Sequence, residues 1–186
     1  LACHDGSGVV VYQAYRPEIA EYAVEHQRFG GPFQLTRMSW IKPGFLWMMH
    51  RSGWATKPDQ ERVLAIRLPH AAFAEVLDVA VPSSFDHRAH RDRETWRAAV
   101  VASEVRVQWD PDHDPSGRPL ARRVVQLGLR GEMLRRYARE WPVEILDVTA
   151  LVAEQRTHMT TGRLDLLRVP AETIYPHRDL GTGTGS

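Results

Sequence analysis

Apolar positions along the chain change their period several times, and each change predicts an element. Val9 to Tyr15 reads VVVYQAY, β-branched and aromatic, which predicts a buried strand. Pro17 then opens a helix with Ile19, Ala20, Ala23 and Val24 on one face, and Gly30-Gly31-Pro32 ends it. Phe33 to Ile41 alternates loosely and fits a strand or an ordered loop. Pro43 and Gly53 bracket a helix whose run Phe45-Leu46-Trp47-Met48-Met49 is apolar all round, so it is expected to be buried. Val63, Leu64 and Ile66 make a strand of Arg62 to Leu68, and Pro69 starts a helix with Phe73, Val76 and Leu77 inward.

A polar connection from Ser83 to Arg93 leads to a short helix around Thr95 to Ala102. Val105 to Trp109 alternates as a strand, the DPDHDPSGRP run at 110–119 reads as a turn, and Arg123 to Leu129 returns as the second arm of a hairpin. Gly131 precedes a helix over Glu132 to Glu140. Val143 to Val148 is a last strand, and Thr149 is the expected cap of a helix through Glu154. Strands interspersed with short helices predict an α+β fold: one compact domain over 9–180, with a mixed, mostly antiparallel sheet and helices packed on it. Residues 1–8 and 181–186, rich in small residues, are expected to be flexible ends.

Composition adds little to this picture except by exclusion. A chain of 186 residues with 43% hydrophobic and 25% charged residues is that of an ordinary globular domain. Its net charge of +1 means that any affinity for nucleic acid must come from a local patch. The single cysteine, Cys3, excludes an internal disulfide and fits a reducing compartment. With no apolar run of membrane-spanning length and no signal-peptide pattern at its start, the chain is expected to be cytoplasmic and free of the membrane. Oligomeric state is not legible.

Charge placement is more telling. Of twenty-four Lys plus Arg, two are lysine, Lys42 and Lys57, and both fall in the stretch Arg28 to Pro58, which holds no Asp or Glu. The same stretch carries Arg28, Arg37, Arg51 and three of the six tryptophans, Trp40, Trp47 and Trp54. A positive, aromatic-lined surface suits a flat anionic ligand, a nucleotide or a nucleic-acid strand. An arginine-rich composition explains most of the arginines without any function, but not the clustering of the lysines.

The segments VVYQAY, RMSWIKPGFLWMMHRSGWATKPDQERVLAIRL, VRVQWDPDHD, VVQLGLRGE and WPVEILDVT resemble the domain-of-unknown-function family numbered 4291, over roughly residues 9 to 150. The long tryptophan-rich block is the specific part. The resemblance implies a soluble, compact, mostly single-domain protein and carries no catalytic residue.

Within the acid-free stretch, Thr36-Arg37-Met38-Ser39-Trp40-Ile41-Lys42-Pro43 leads into a helix N-terminus, where free N–H groups favour an anion. Arg37, Ser39, Lys42 and Lys57 are therefore the candidate phosphate ligands; the competing reading has Thr36 and Ser39 holding a turn and Lys42 solvated. His50 and Arg51, at the far end of that helix, fit a structural role against the dipole. The three tryptophans are spaced by seven; Trp47 is expected in the core, while Trp40 and Trp54 are the candidates for stacking a ligand at a cleft rim. The loop Ser52 to Pro58 is either a closing loop or a plain connection.

Tyr15 and Arg16 end the first strand, along with Tyr12 and Gln13, where functional groups are common. An arginine there, followed by a Ser/Thr strand, resembles the ADP-ribosyltransferase arrangement. That resemblance implies Arg16 gripping a dinucleotide, Thr36 or Ser39 beside it, Glu144 as a late acid, and NAD or another nucleotide as cofactor.

Asp110, Asp112 and Asp114 do not make a calcium loop, because Pro115 and Ala121 stand where glycine and glutamate are needed. Asp86, His87 and His90 lack a partner cluster, so no metal site is expected. GxSxG, Walker and GxGxxG motifs are missing. Arg122, Arg123, Arg130, Arg135, Arg136 and Arg139 form a second basic cluster, read first as a solvated face. The functional expectation is an enzyme acting on a nucleotide or nucleic-acid end, a transferase with Asp110 as its catalytic acid/base or metal-holding group. The alternatives are a non-catalytic RNA- or DNA-binding module and a protein-interaction domain without a small ligand.

Overall fold

The structure is a computed structural model that describes residues 1–87 and 90–177. Its strands form two sheets. The first has the order β1 (Cys3–Asp5), β2 (Gly8–Tyr15), β4 (Arg62–Leu68), β8 (Glu144–Asp147), antiparallel throughout. The second has the order β3 (Ser39–Ile41), β7 (Pro119–Leu129), β6 (Val105–His113), β5 (Val81–Pro82), antiparallel except for β5 against β6. The helices are α1 (Pro17–His26), α2 (Phe45–Ser52), α3 (His70–Asp78), α4 (Arg93–Ala102), α5 (Gly131–Arg139) and α6 (Thr149–Thr160). The arrangement is the expected α+β, but with two sheets where one was expected.

The unbroken apolar run of β2 is explained by burial on both faces. Val9 and Val11 join the larger core with Leu64, Ile66 and Leu68 of β4, under α1, α3 and α5. Val10 and Tyr12 point the other way, into a second core with Phe45, Met48 and Met49 of α2 and Val152 of α6. A strand flanked by two cores has no solvent face to mark with polar alternates.

The two sheets share the larger core and, among the described residues, are joined through the backbone by a single bridge. Tyr12 and Lys42 exchange backbone hydrogen bonds of 2.7 and 3.2 Å, and beyond them β2 and β3 diverge. Gln13 bridges the gap with its side chain: its Nε2 donates to Ser39 Oγ at 2.9 Å and to the Trp40 carbonyl at 3.0 Å. This accounts for a glutamine that is only 3% exposed inside an otherwise apolar strand.

Several expectations change. Residues 1–8 are not a loose end: Cys3–Asp5 pairs with β2, and Ala2 exchanges backbone hydrogen bonds with Thr173. The 181–186 tail lies outside the described residues. Asp110 does not open a turn; β6 continues to His113 and the turn falls at Asp114, whose carboxylate accepts from Ser116 and Arg118. Thr149 does not cap α6 as expected; its hydroxyl accepts from the Val63 N–H, and the N-cap position is Val148. Helix α2 is buried only in part, with His50 and Arg51 exposed.

Candidate functional site

The divergence of β2 and β3, roofed by α2, leaves a cavity of about 350 Å³. Its walls come from the end of β2, from the segment leading into β3, and from one face of α2. Of the residues singled out in the sequence, Tyr15, Arg16, Arg37, Ser39, Trp40 and Lys42 all line it. The structure thus brings together six side chains that are up to 27 positions apart in the chain.

Lys42 is the unusual member. It is 5% exposed, and Nζ donates one long hydrogen bond of 3.4 Å to the Trp40 carbonyl. Among the described residues no carboxylate lies within ion-pair distance. Burial first and the Arg51 guanidinium second, opposed by Asp110, lower its pKa to about 8. A buried ammonium without a counter-ion is costly, and the cavity it lines is where an anion would relieve that cost. Arg16, Arg37 and Arg51 are exposed around the same cavity, so its mouth is cationic. Arg16 also faces Glu18 at 3.6 Å, and Asp59 is the one carboxylate in the lining.

Trp40 stands opposite Gly128 of β7, its register partner. A Cβ at 128 would come within 2.7 Å of the Met38 sulfur and 3.0 Å of the Trp40 ring, so a larger residue there would displace both side chains.

Asp110 stands one step behind. It does not line the cavity, but lies close enough to Lys42 to influence its charge. The Gln108 and Gln126 amides donate to its two carboxylate oxygens at 2.8 and 2.7 Å. Gln108 and Gln126 are register partners on β6 and β7, so the carboxylate is clamped from two strands.

Other expected ligands are elsewhere. Lys57 is outside the cavity, its Nζ donating to the Arg51 carbonyl at 2.7 Å as part of the turn after α2. Trp54 is not at a rim: at 7% exposure it belongs to the second core, edge-on to Phe45. The N-terminus of α2 is taken by the chain itself, because Glu172 accepts from the Phe45 N–H at 2.6 Å. The cavity lies against the side of the helix, at Met48 and Arg51, and not at its N-terminus. Glu144 pairs with Arg67 on the first sheet and is absent from the cavity lining, so the late acid implied by the ADP-ribosyltransferase resemblance is not at this site.

At the far end of α2, His50 stacks on His113 with ring centroids 3.6 Å apart, and Trp47 stacks on both. Trp47 is therefore a half-buried member of a ring stack and not the core residue expected. Burial lowers the His50 pKa, with His113, Lys57 and Arg51 adding to it. Among the described residues no group of three or more His, Cys, Asp or Glu side chains is arranged to hold a metal ion. Asp112 is occupied by Arg122 and by the His113 N–H.

Sequence reasoning passed over Arg51, assigned to the helix dipole, and over Gln108, Gln126 and Tyr137. Their signal was slight: glutamines at alternating positions of strands otherwise rich in valine and leucine, where a buried amide requires partners.

The chain belongs to a family described as a domain of unknown function (DUF4291), whose model matches residues 1–175. No curated protein matches it. Among the described residues no helix is long and apolar enough to cross a membrane.

Proposed function

We propose that the protein is an enzyme acting on a nucleotide or on the end of a nucleic acid, a transferase whose substrate phosphate is held in the β2–β3 cleft. The observation that carries this reading is Lys42: a buried ammonium, without a carboxylate partner among the described residues, lining a cavity that has three guanidinium groups around it. A phosphate brings to these groups the charge and the acceptor oxygens that they lack. Trp40 offers ring surface for a base beside the phosphate. NAD, as a dinucleotide, falls within this ligand class. A reducing compartment such as the cytoplasm suits the unpaired Cys3.

Asp110 is the proposed acid/base group. Two amide donors hold its carboxylate in one orientation behind Lys42, outside the cavity lining, so a proton passing between it and a ligand has to be relayed. Thermal melting against a nucleotide panel tests the ligand class: a rise in Tm with nucleotides, lost in Lys42→Ala, is the expected result. A panel that leaves the wild-type Tm unmoved refutes it. Asp110→Asn separates the enzyme from a binding module. Turnover lost with binding retained supports catalysis, whereas full activity removes Asp110 from the chemistry.

The second reading, a non-catalytic nucleic-acid-binding module, draws on the exposure of Arg16, Arg37 and Arg51 around the mouth. It predicts tighter binding of oligonucleotides than of mononucleotides, with a steep salt dependence.

A further inference from the structure

We infer that the inner wall of the cleft offers one hydroxyl hydrogen, carried by either Ser39 or Tyr15, and that it binds an oxygen of the ligand's phosphate, so the ligand enters phosphate first; this rests on the phosphate reading above. A count of hydrogens leads to this wall. The Gln13 amide has two hydrogens on nitrogen and one accepting oxygen. The Trp40 carbonyl can only accept, so the Gln13 atom 3.0 Å from it is the nitrogen. The amide oxygen therefore faces Tyr137, whose hydroxyl donates to it at 2.7 Å. The second amide hydrogen goes to Ser39 Oγ at 2.9 Å, which makes Ser39 an acceptor from Gln13.

Tyr15 Oη lies 3.0 Å from the same Ser39 Oγ. Two hydroxyl hydrogens thus stand at a contact that uses one. If Tyr15 donates, the Ser39 hydrogen is left over; if Ser39 donates, the Tyr15 hydrogen is. Gln13 is the other side chain within reach of Tyr15, and it presents to this pair the amide nitrogen, which only donates, while its oxygen is taken by Tyr137. Burial pushes the Tyr15 pKa well up, so its hydrogen is retained at any ordinary pH. Both side chains line the cavity, and the spare hydrogen has the cavity to point into.

The surrounding groups decide what it meets. The Trp40 carbonyl accepts from both Gln13 Nε2 and Lys42 Nζ, which puts the ammonium and the hydroxyl pair on one wall. That wall donates: the amide hydrogens are spent, and the ammonium has further N–H groups to give. A ring N–H or an exocyclic amine finds only a hydroxyl lone pair there and does nothing for the Lys42 charge. A non-bridging phosphate oxygen brings lone pairs and a charge to set against Lys42, so the phosphate takes the inner end and the nucleoside points to the mouth.

Titration calorimetry with inorganic pyrophosphate tests this on wild type, Tyr15→Phe, Ser39→Ala and the double variant, with melting curves to verify each fold. Either single variant keeps one free hydroxyl hydrogen, so its affinity stays within about threefold of wild type. The double variant has none and loses about tenfold or more, as for a hydrogen bond to a charged group. The signature is this excess over the sum of the single effects, which loss of a merely structural contact does not produce. If the double variant does not fold, Tyr15→Phe with Ser39→Cys keeps the volume with a weak donor and gives the same readout. Losses that add, or a double variant that binds as wild type does, overturn the inference. The non-additive pattern with pyrophosphate, but no nucleotide bound, upholds the donor and refutes the nucleotide reading. Nucleotides bound equally by wild type and double variant do the reverse, and a wild type that binds neither refutes both.

Discussion

Two clusters of cations face different fates in this molecule. On α5, each basic side chain that packs is matched by an acid: Arg136 forks onto Glu75 and lies over the Trp141 ring, and Arg135 meets Glu132. In the cleft, Lys42, Arg37 and Arg51 have no carboxylate within ion-pair distance among the described residues, and Lys42 is also buried. Paired cations on a helix face complete the fold. Unpaired cations around a cavity leave charge for something else to neutralise. Basic residues are in fact denser on α5 than in the Arg28–Pro58 stretch; what separates the two is the placement of the acids.

The contrast breaks most sharply at Lys42. Lys42→Met should reduce pyrophosphate or nucleotide affinity by about tenfold to a hundredfold, the scale of a charged hydrogen bond, measured by calorimetry. The same variant should be more stable than wild type at pH 7. Its pKa of about 8 lies below the ordinary 10.5, so the charged form is disfavoured by folding, at a cost on the order of 3 kcal/mol. Urea denaturation measures it; a less stable variant would mean that the ammonium has a partner after all.

The pH dependence sharpens the same point. With the folded pKa lowered, the unfolded chain binds more protons between about pH 8 and 10.5, so the contribution of Lys42 to stability rises with pH across that window and is most unfavourable below pH 8. Ligand affinity runs the opposite way and falls above pH 8 as the amine loses its charge. Anion binding near pH 8 should take up a proton, visible as a dependence of the calorimetric enthalpy on the ionisation heat of the buffer.

Arg136→Gln is the counterpart on α5. It unpairs Glu75 and removes the cation from the Trp141 ring, so Tm should drop while ligand affinity stays that of wild type. A change in affinity would merge the two clusters into one surface.

The smallest effect belongs to His50. Its lowered pKa means that the unfolded chain protonates first as pH falls below 6.5, so stability is lost on acidification through that region. His50→Gln should flatten that part of the stability profile, measured by melting between pH 7 and pH 5.

Much of this was legible in the chain. Local preferences placed β2, α1, β4, α3 and the β6–β7 hairpin close to where they stand, because β-branched runs, prolines and glycines act within a few residues of themselves. The acid-free, lysine-bearing stretch pointed to Arg37, Ser39, Trp40 and Lys42, which do line one cleft. What the sequence could not decide was depth and partnership. Lys42 and Lys57 look alike in the chain, yet one is buried over a cavity and the other closes a turn on the Arg51 carbonyl. Trp40 and Trp54 look alike as well, and only the first reaches the cleft. Glu172, more than a hundred residues away, takes the helix end that looked free. Each of these outcomes depends on long-range packing: where two sheets part, which strand crosses above, and which distant carboxylate arrives first. Local pattern carries none of that information, because burial and electrostatic pairing are properties of the assembled chain.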